Sequence, residues 1–311
     1  MLSSPDRILV VSNIGWADKS SLWTYDVVKD SVNLIPLGFA KYLSLYPCKD
    51  PNQFAVLHHS EDAYIRLSVH AFDNPAVPIC TIGFEKGNTR VEGDTGVLQN
   101  APGYYVIFYN PGHDADYQLV SVDTSQNRLL IERFAWFDSS YDKDYQGVIG
   151  VVELPSGELI ISVQRDSHPI VYDTKTRQVK GKLTLANRYG NPKFCYLKQR
   201  NEVWADDYDT LIKFRGDDLT VKNSQILQLA PKGKAQFIGN WSFNEDETLC
   251  LVSRPFSGDI VAISTDNMKI KYAARTGRQP IQSAFLNNDR VIGRDWKTGI
   301  LIMGLLERKW F

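Results

Sequence analysis

Apolar residues in this chain come in short runs that alternate with polar ones, and the runs are rich in Val, Ile, Tyr and Phe. Turn residues (Gly, Asn, Asp, Ser) interrupt them about every 8–12 positions, and no stretch sustains a helical period. Alternation with period two puts one face of each run into a core and the other outside, so the chain reads as all-β.

A longer period selects among all-β architectures. A strand ending in a small polar residue and followed by a turn recurs: Ile170–Asp173 before TKTRQV, Leu119–Asp123 before TSQNRLL, and Ile260–Ser264 before TDNMKI. Weaker copies begin at Leu22, Arg66, Leu211 and Ile300. From Asp26 to Gly304 the six intervals average about 46 residues, the range of propeller blades. The strand before each phrase repeats as well: ILVVSN, FAVLHH, YVIFYN, LIISVQR, EVWADD, LCLVSR and RVIGRD. Innermost candidates precede most of these, among them YLSLY, KFCYL, FIGNWSF and IQSAFL, with a poorer copy near Gly96. The pattern predicts one domain over residues 1–311, a single seven-bladed β-propeller of four-stranded antiparallel blades. No innermost strand is evident before Ile8, and Arg308–Phe311 is the candidate for closing the ring.

The turns DTKTR at Asp173 and DWKTG at Asp295 carry a resemblance. They are similar to the turn of the YVTN-type and quinoprotein-like propellers, and the chain lacks the regular Gly-His and Trp-Asp punctuation of WD40 repeats. The resemblance implies the propeller fold and no particular activity.

With strands A to D counted outward from the axis, A–B and C–D turns share one end of each blade. B–C and D–A connections share the other. The first set is compact (LPSGE, NEDET, NNDR, DTKTR), whereas the second is longer and more varied (NIGWADKSS, NPGHDADY, AWFDSSYDKDYQG, LANRYGNPK). Elaborated loops on a rigid scaffold are where binding residues gather, so the B–C and D–A end is the expected working face.

Comparing residues that leave strand B gives Asn13, His59, Asn110, Arg165, Asp206, Arg254 and Arg294. Arginine recurs over the later blades, and Arg188, Lys193, Lys232, Lys234, Arg275 and Arg278 add to it from D–A loops. The earlier half gathers Glu61, Asp62, Asp114, Asp116, Asp138, Asp142 and Asp144 instead. Arg165, Arg254, Arg294 and Arg188, with Asp206, are therefore candidates to hold a carboxylate or phosphate. The competing reading pairs these charges locally with Asp166, Asp206, Asp207 and Asp295. The loop at residues 136–145 adds Trp136, Asp138 and Tyr141 as candidates for a cationic or peptide-like ligand.

Catalytic chemistry has thinner support. His59, His113 and His168 fall in or beside B–C loops and offer general-base capacity. His113 sits in GHDAD, a fragment of an oxygen-rich loop without the spacing of a calcium hand. Ser167 and Asp166 adjoin His168, but triads converge from distant positions. No metal-binding set, Gly-rich phosphate loop, HExxH or nucleophile elbow is present, and no cofactor is indicated.

Charge and cysteine usage narrow the partners. The net charge is −1, and no basic stripe interleaves with aromatics, so nucleic acid and an anionic membrane are not expected. No apolar run reaches the ~18–20 residues of a membrane helix, and MLSSPDRILVVSN lacks the layout of a signal peptide. Four dispersed cysteines, Cys48, Cys80, Cys195 and Cys250, form no CxxC pair, which fits a cytoplasmic setting. The leading expectation is a non-catalytic binding or scaffold propeller that takes a protein, peptide or small anionic ligand. The alternative is a lyase- or hydrolase-type enzyme at the channel mouth, possible with a metal.

Overall fold

The structure is a computed structural model. It describes residues 2–4, 7–13, 20–26, 28–36, 41–48, 50, 52–59, 64–85, 96–100, 103–110, 116–123, 128–134, 148–163, 168–183, 185, 192–217, 219, 225–228, 238–276, 278–285, 290–295, 297–298 and 301–308. Among these there is no helix, and the strands form seven sheets in chain order.

Sheet I contains Leu2–Ser4, Arg7–Asn13, Ser20–Asp26 and Ser31–Ile35. Sheet II contains Lys41–Pro47, Gln53–His59, Tyr64–Ala71 and Pro78–Glu85. Sheet III contains Gly96–Asn100, Gly103–Asn110, Asp116–Asp123 and Arg128–Phe134. Sheet IV contains Val148–Glu153, Glu158–Val163, Ile170–Asp173 and Gln178–Lys182. Sheet V contains Phe194–Leu197, Glu202–Asp207, Thr210–Arg215 and Gln225–Gln228. Sheet VI contains Trp241–Phe243, Leu249–Arg254, Asp259–Ser264 and Ile270–Arg275, with Glu307–Arg308 added at its edge. Sheet VII contains Pro280–Phe285, Arg290–Asp295 and Leu301–Leu305. Apart from the added Glu307–Arg308, each is a meander of sequence neighbours, the least expensive connection in loop entropy.

One expectation about the chain ends changes, and of the ring-closing candidate Arg308–Phe311 all but Arg308 lies outside the described residues. A short strand, Leu2–Ser4, does precede Ile8, pairing Leu2 with Leu9 and Ser4 with Arg7. Three residues are too few to display alternation, which is why the pattern hid it. At the other end Glu307 and Arg308 pair with Ala273 and Tyr272 of sheet VI.

The chain divides into two compact units, residues 1–151 with 161–164 and residues 152–160 with 165–311. In the first unit, Leu22 and Ile35 of sheet I pack on Phe54, Val56 and Phe72 of sheet II and its following turn. The second unit has a chain of such seams. Ile160 and Val171 meet Val203, Ala205, Ile212 and Phe214 between sheets IV and V. Trp204 and Leu211 meet Trp241, Cys250, Val252 and Val261 between V and VI. Leu251, Ile260 and Ala262 meet Val291 between VI and VII. Alternation along each strand supplies both faces: Trp204 packs forward while Val203 and Ala205 pack backward. Each fully buried side chain of this size contributes about 1.5–3 kcal/mol. Cys195 and Cys250 serve as small hydrophobes here, and burial pushes the Cys195 thiol up to about 12.

Aspartates organise the turns. Asp173 accepts the amides of Lys175 (2.8 Å) and Thr176 (3.2 Å), and Asp295 those of Lys297 (3.1 Å) and Thr298 (2.8 Å). The two similar turns thus share one local chemistry, although Asp173 ends a third strand and Asp295 a second.

Candidate functional site

Sheets V, VI and VII carry most of the candidates whose side chains are described. At the end where strands B and C connect, sheets V and VI turn tightly. Asp207 pairs with Thr210 across two residues, with Tyr208 in the left-handed region (φ 62°). Arg254 pairs with Asp259 across a turn that Gly258 makes possible at φ 68°.

Arg254 lies inside that turn. Its Nε donates to Asp259 Oδ1 at 2.8 Å and its Nη2 to Oδ2 at 2.6 Å, a two-point fork between residues only 8% and 7% exposed. Such a pair holds its turn through mutual neutralisation, since either ion alone would stand desolvated.

Asp206 is also committed. It accepts the amide of Lys193 at 2.5 Å and the indole Nε1–H of Trp241 at 2.9 Å. The second bond runs from sheet V to the inner strand of sheet VI. Burial nonetheless raises the Asp206 pKa above the usual carboxylate range, outweighing the nearby Lys193 charge and the donated hydrogen bonds. Ser253 repeats the arrangement one sheet on, donating to Ser283 Oγ at 2.8 Å.

Arg294 differs. Val291 on its strand packs on sheet VI, and a Cβ on Gly293 would meet Ile260 Cδ1 at 2.9 Å. Arg294 alternates with these and so faces away from sheet VI. Arg254, on the same strand face as Cys250 and Val252, faces sheet V. The two arginines therefore do not occupy one repeated position; Arg294 corresponds to Asp206 and Ser253. Among the described residues it has no hydrogen-bond or ion-pair partner. It is half-buried, and desolvation alone pulls it below its ordinary value.

The residue paired with Arg294 is Gln282 of the first strand of sheet VII. Directly opposed residues share a sheet face. The Gln282 Oε1 is buried without a hydrogen-bond partner, and so is the Oε1 of Gln279, just before the same strand. Local chain chemistry explains the geometry. Pro280 has no N–H for the ladder, the register slips between Pro280 and Gln282, and the Gln279 N–H goes to Asp295 Oδ2 at 3.0 Å.

The opposite end of the V–VI seam is fully paired by contrast. Lys213 Nζ donates to Thr265 O (2.9 Å) and bridges to Glu202 Oε1 (3.3 Å), while Arg200 joins Glu202 (3.2 Å) and Asp266 (2.7 Å). Glu247 accepts the amides of Lys198 and Gln199.

The other candidates are more scattered. His59 ends its strand opposite Lys41 and Ile65. His168 is half-buried beside Ile170–Asp173. Lys193, Arg275 and Arg278 are exposed. Arg165, Arg188, His113, Trp136, Asp138 and Tyr141 lie outside the described residues, as do Lys232, Lys234, Asp142 and Asp144. Among the described residues no three of His, Cys, Asp and Glu gather as metal ligands. Gln279 and Gln282 escaped the sequence reading; drawing the register of the IQSAFL and RVIGRD hairpin would have set Gln282 against Arg294.

No protein-family model matches the chain, and no curated protein matches it. Solved structures do. The β-propeller domain of Myceliophteria thermophila Cps50 (Swd1) aligns with TM-score 0.66 at 9% identity, over 99% of this chain and 98% of that one. The periplasmic gluconolactonase PpgL of Pseudomonas aeruginosa aligns with 0.65 at 15%, over 96% and 94%. A putative 6-phosphogluconolactonase of Bacteroides fragilis aligns with 0.67 at 14%, over 97% and 92%. The chain thus has a β-propeller fold, which by itself hosts both binding domains and enzymes.

Proposed function

We propose that residues 1–311 form one seven-bladed propeller, sheets I–VII being its blades, that acts as a non-catalytic binding module in the cytoplasm. Its B–C and D–A end takes an anionic group presented by a protein, a peptide or a small ligand. The observation that carries this reading is Arg294. A half-buried guanidinium without a carboxylate or other partner among the described residues is a charge that none of those residues compensates, and an anion would compensate it. In a propeller the innermost strands surround the central channel, and Gln282, which faces Arg294, belongs to such a strand. Neither nucleic acid nor a membrane belongs to this reading, given the net charge of −1.

The second reading, an enzyme of hydrolase or lyase type at the channel mouth, draws on the similarity to PpgL and to the Bacteroides fragilis protein. A thermal-shift screen against anionic metabolites, acidic peptides and divalent metals separates the two, because a ligand that binds only the folded state raises the melting point. The binding reading expects shifts with anions or acidic peptides and no turnover of lactones. Lactone hydrolysis, or a shift confined to a metal that co-purifies, would establish the enzyme reading instead.

A further inference from the structure

We infer that Arg294 and Gln282 form a subsite for a small anion that also carries a hydroxyl group, a hydroxy-carboxylate or a hydroxyl-bearing phosphate ester. This deepens the binding reading above and rests on it.

Two unmet requirements of opposite kind meet on one sheet face. Arg294 offers guanidinium donors with no acceptor among the described residues. Gln282, paired with it across the hairpin, presents a buried amide oxygen with no donor. Buried polar atoms are almost always hydrogen-bonded, so an unmatched acceptor beside an unmatched cation is informative. An anion alone would satisfy only the arginine. A hydroxyl alone could donate to the glutamine and accept from the arginine, but would leave the charge of a partly desolvated cation uncompensated. A ligand with an acid oxygen and a hydroxyl a few bonds apart satisfies both. Gln279, whose amide oxygen is likewise buried without a donor, stands at the same end of the same strand and extends the acceptor set.

The backbone supports a site rather than a packing defect. The register slip between Pro280 and Gln282 interrupts the ladder at this point, a device that re-aims side chains next to functional sites. Sheets V and VI pair their inner strands without such a slip, and their corresponding residues, Asp206 and Ser253, are tied to the next sheet. At the corresponding position of sheet VII, Arg294 has no such tie among the described residues.

The test uses four probes on the full chain: glycerate, glycerol 3-phosphate, propionate and glycerol. Glycerate or glycerol 3-phosphate, at about ten times its dissociation constant, is expected to raise the melting temperature by roughly 2–3 °C. Whichever of the two is stronger identifies the acid as carboxylate or phosphate. Propionate is expected to give a smaller shift and glycerol none. Arg294→Met should abolish the response while keeping the parent's unliganded melting temperature, and Arg294→Lys should weaken it. Gln282→Leu should reduce glycerate to the level of propionate. Arg278→Met, at an exposed arginine nearby, should change nothing. An unchanged response in both Arg294→Met and Gln282→Leu overturns the subsite but not the binding reading, as does a shift with acidic peptides alone. Silence from all four probes and from acidic peptides overturns both.

Discussion

Arg254 in sheet VI and Arg294 in sheet VII sit close to the ends of equivalent strands, yet their surroundings are opposite. Arg254 is enclosed with Asp259 in a two-point ion pair, its charge used up inside one turn. Arg294 faces the other side of its sheet, half-buried and without a partner among the described residues, opposite a glutamine whose buried oxygen accepts no hydrogen bond there. A buried charge with its counter-charge is part of the architecture. A charge held partly out of water without one is a readiness to bind. The distinction depends on partners, not on residue type or position along the chain.

That contrast has measurable limits. Arg254→Met should have the largest effect, a loss of about 3–5 kcal/mol in urea unfolding, because Asp259 would remain buried and ionised alone. Joint replacement of Arg254 and Asp259 by Met and Leu should recover most of it. Failure to recover would show that the pair does more than neutralise itself.

The next effect tests whether an unmatched buried atom by itself implies a ligand. His58 in sheet II is 6% exposed, its Nδ1 has no partner, and burial, with help from Arg66 and His70, lowers its pKa to about 4. The unfolded chain takes up this proton below about pH 6.5. Stability should therefore fall as the pH drops from about 6.5 to about 4, by on the order of 3 kcal/mol, and change no further below that on account of this group. His58→Leu should flatten the decline. A neutral imidazole tolerates an unmatched nitrogen far better than a guanidinium tolerates isolation, so His58 should show pH-dependent stability without any anion response.

Trp241→Phe removes the indole donor from Asp206 while keeping an aromatic ring in the seam. A loss of about 1–3 kcal/mol is expected, the usual result of orphaning a buried acceptor. Arg294→Met should have the smallest effect, within about 0.5 kcal/mol of the parent. A loss as large as that of Arg254→Met would erase the contrast and return Arg294 to the architecture.

The repeat made the fold readable before any coordinates. Alternation in LCLVSR and DIVAIS has a period that no turn disturbs, and these strands appear where the pattern places them. The strand Leu2–Ser4 was not readable, because a three-residue pairing leaves no periodic trace. The site was readable only as an inventory. Arg254 and Arg294 could be aligned by counting along the strings, but which face each takes depends on strand register. Asp206 reads as a loop acid until Trp241, thirty-five positions away, is seen to hold it. Gln282 carries no charge and sits within apolar text, so only the hairpin pairing singles it out.

The hydrogen bonds that leave one sheet for the next, Asp206 to Trp241 and Ser253 to Ser283, also bear on how the molecule opens. In repeat architectures, nearest-neighbour coupling decides whether units open singly or together. Opening sheet V would expose Trp204, strip Trp241 of its acceptor and unseat Lys198 and Gln199 from Glu247, so sheet VI would lose its footing in the same event. Slow amide exchange at residues 202–207 and 249–254 should accordingly report a single opening free energy, making these two sheets one cooperative unit of breathing.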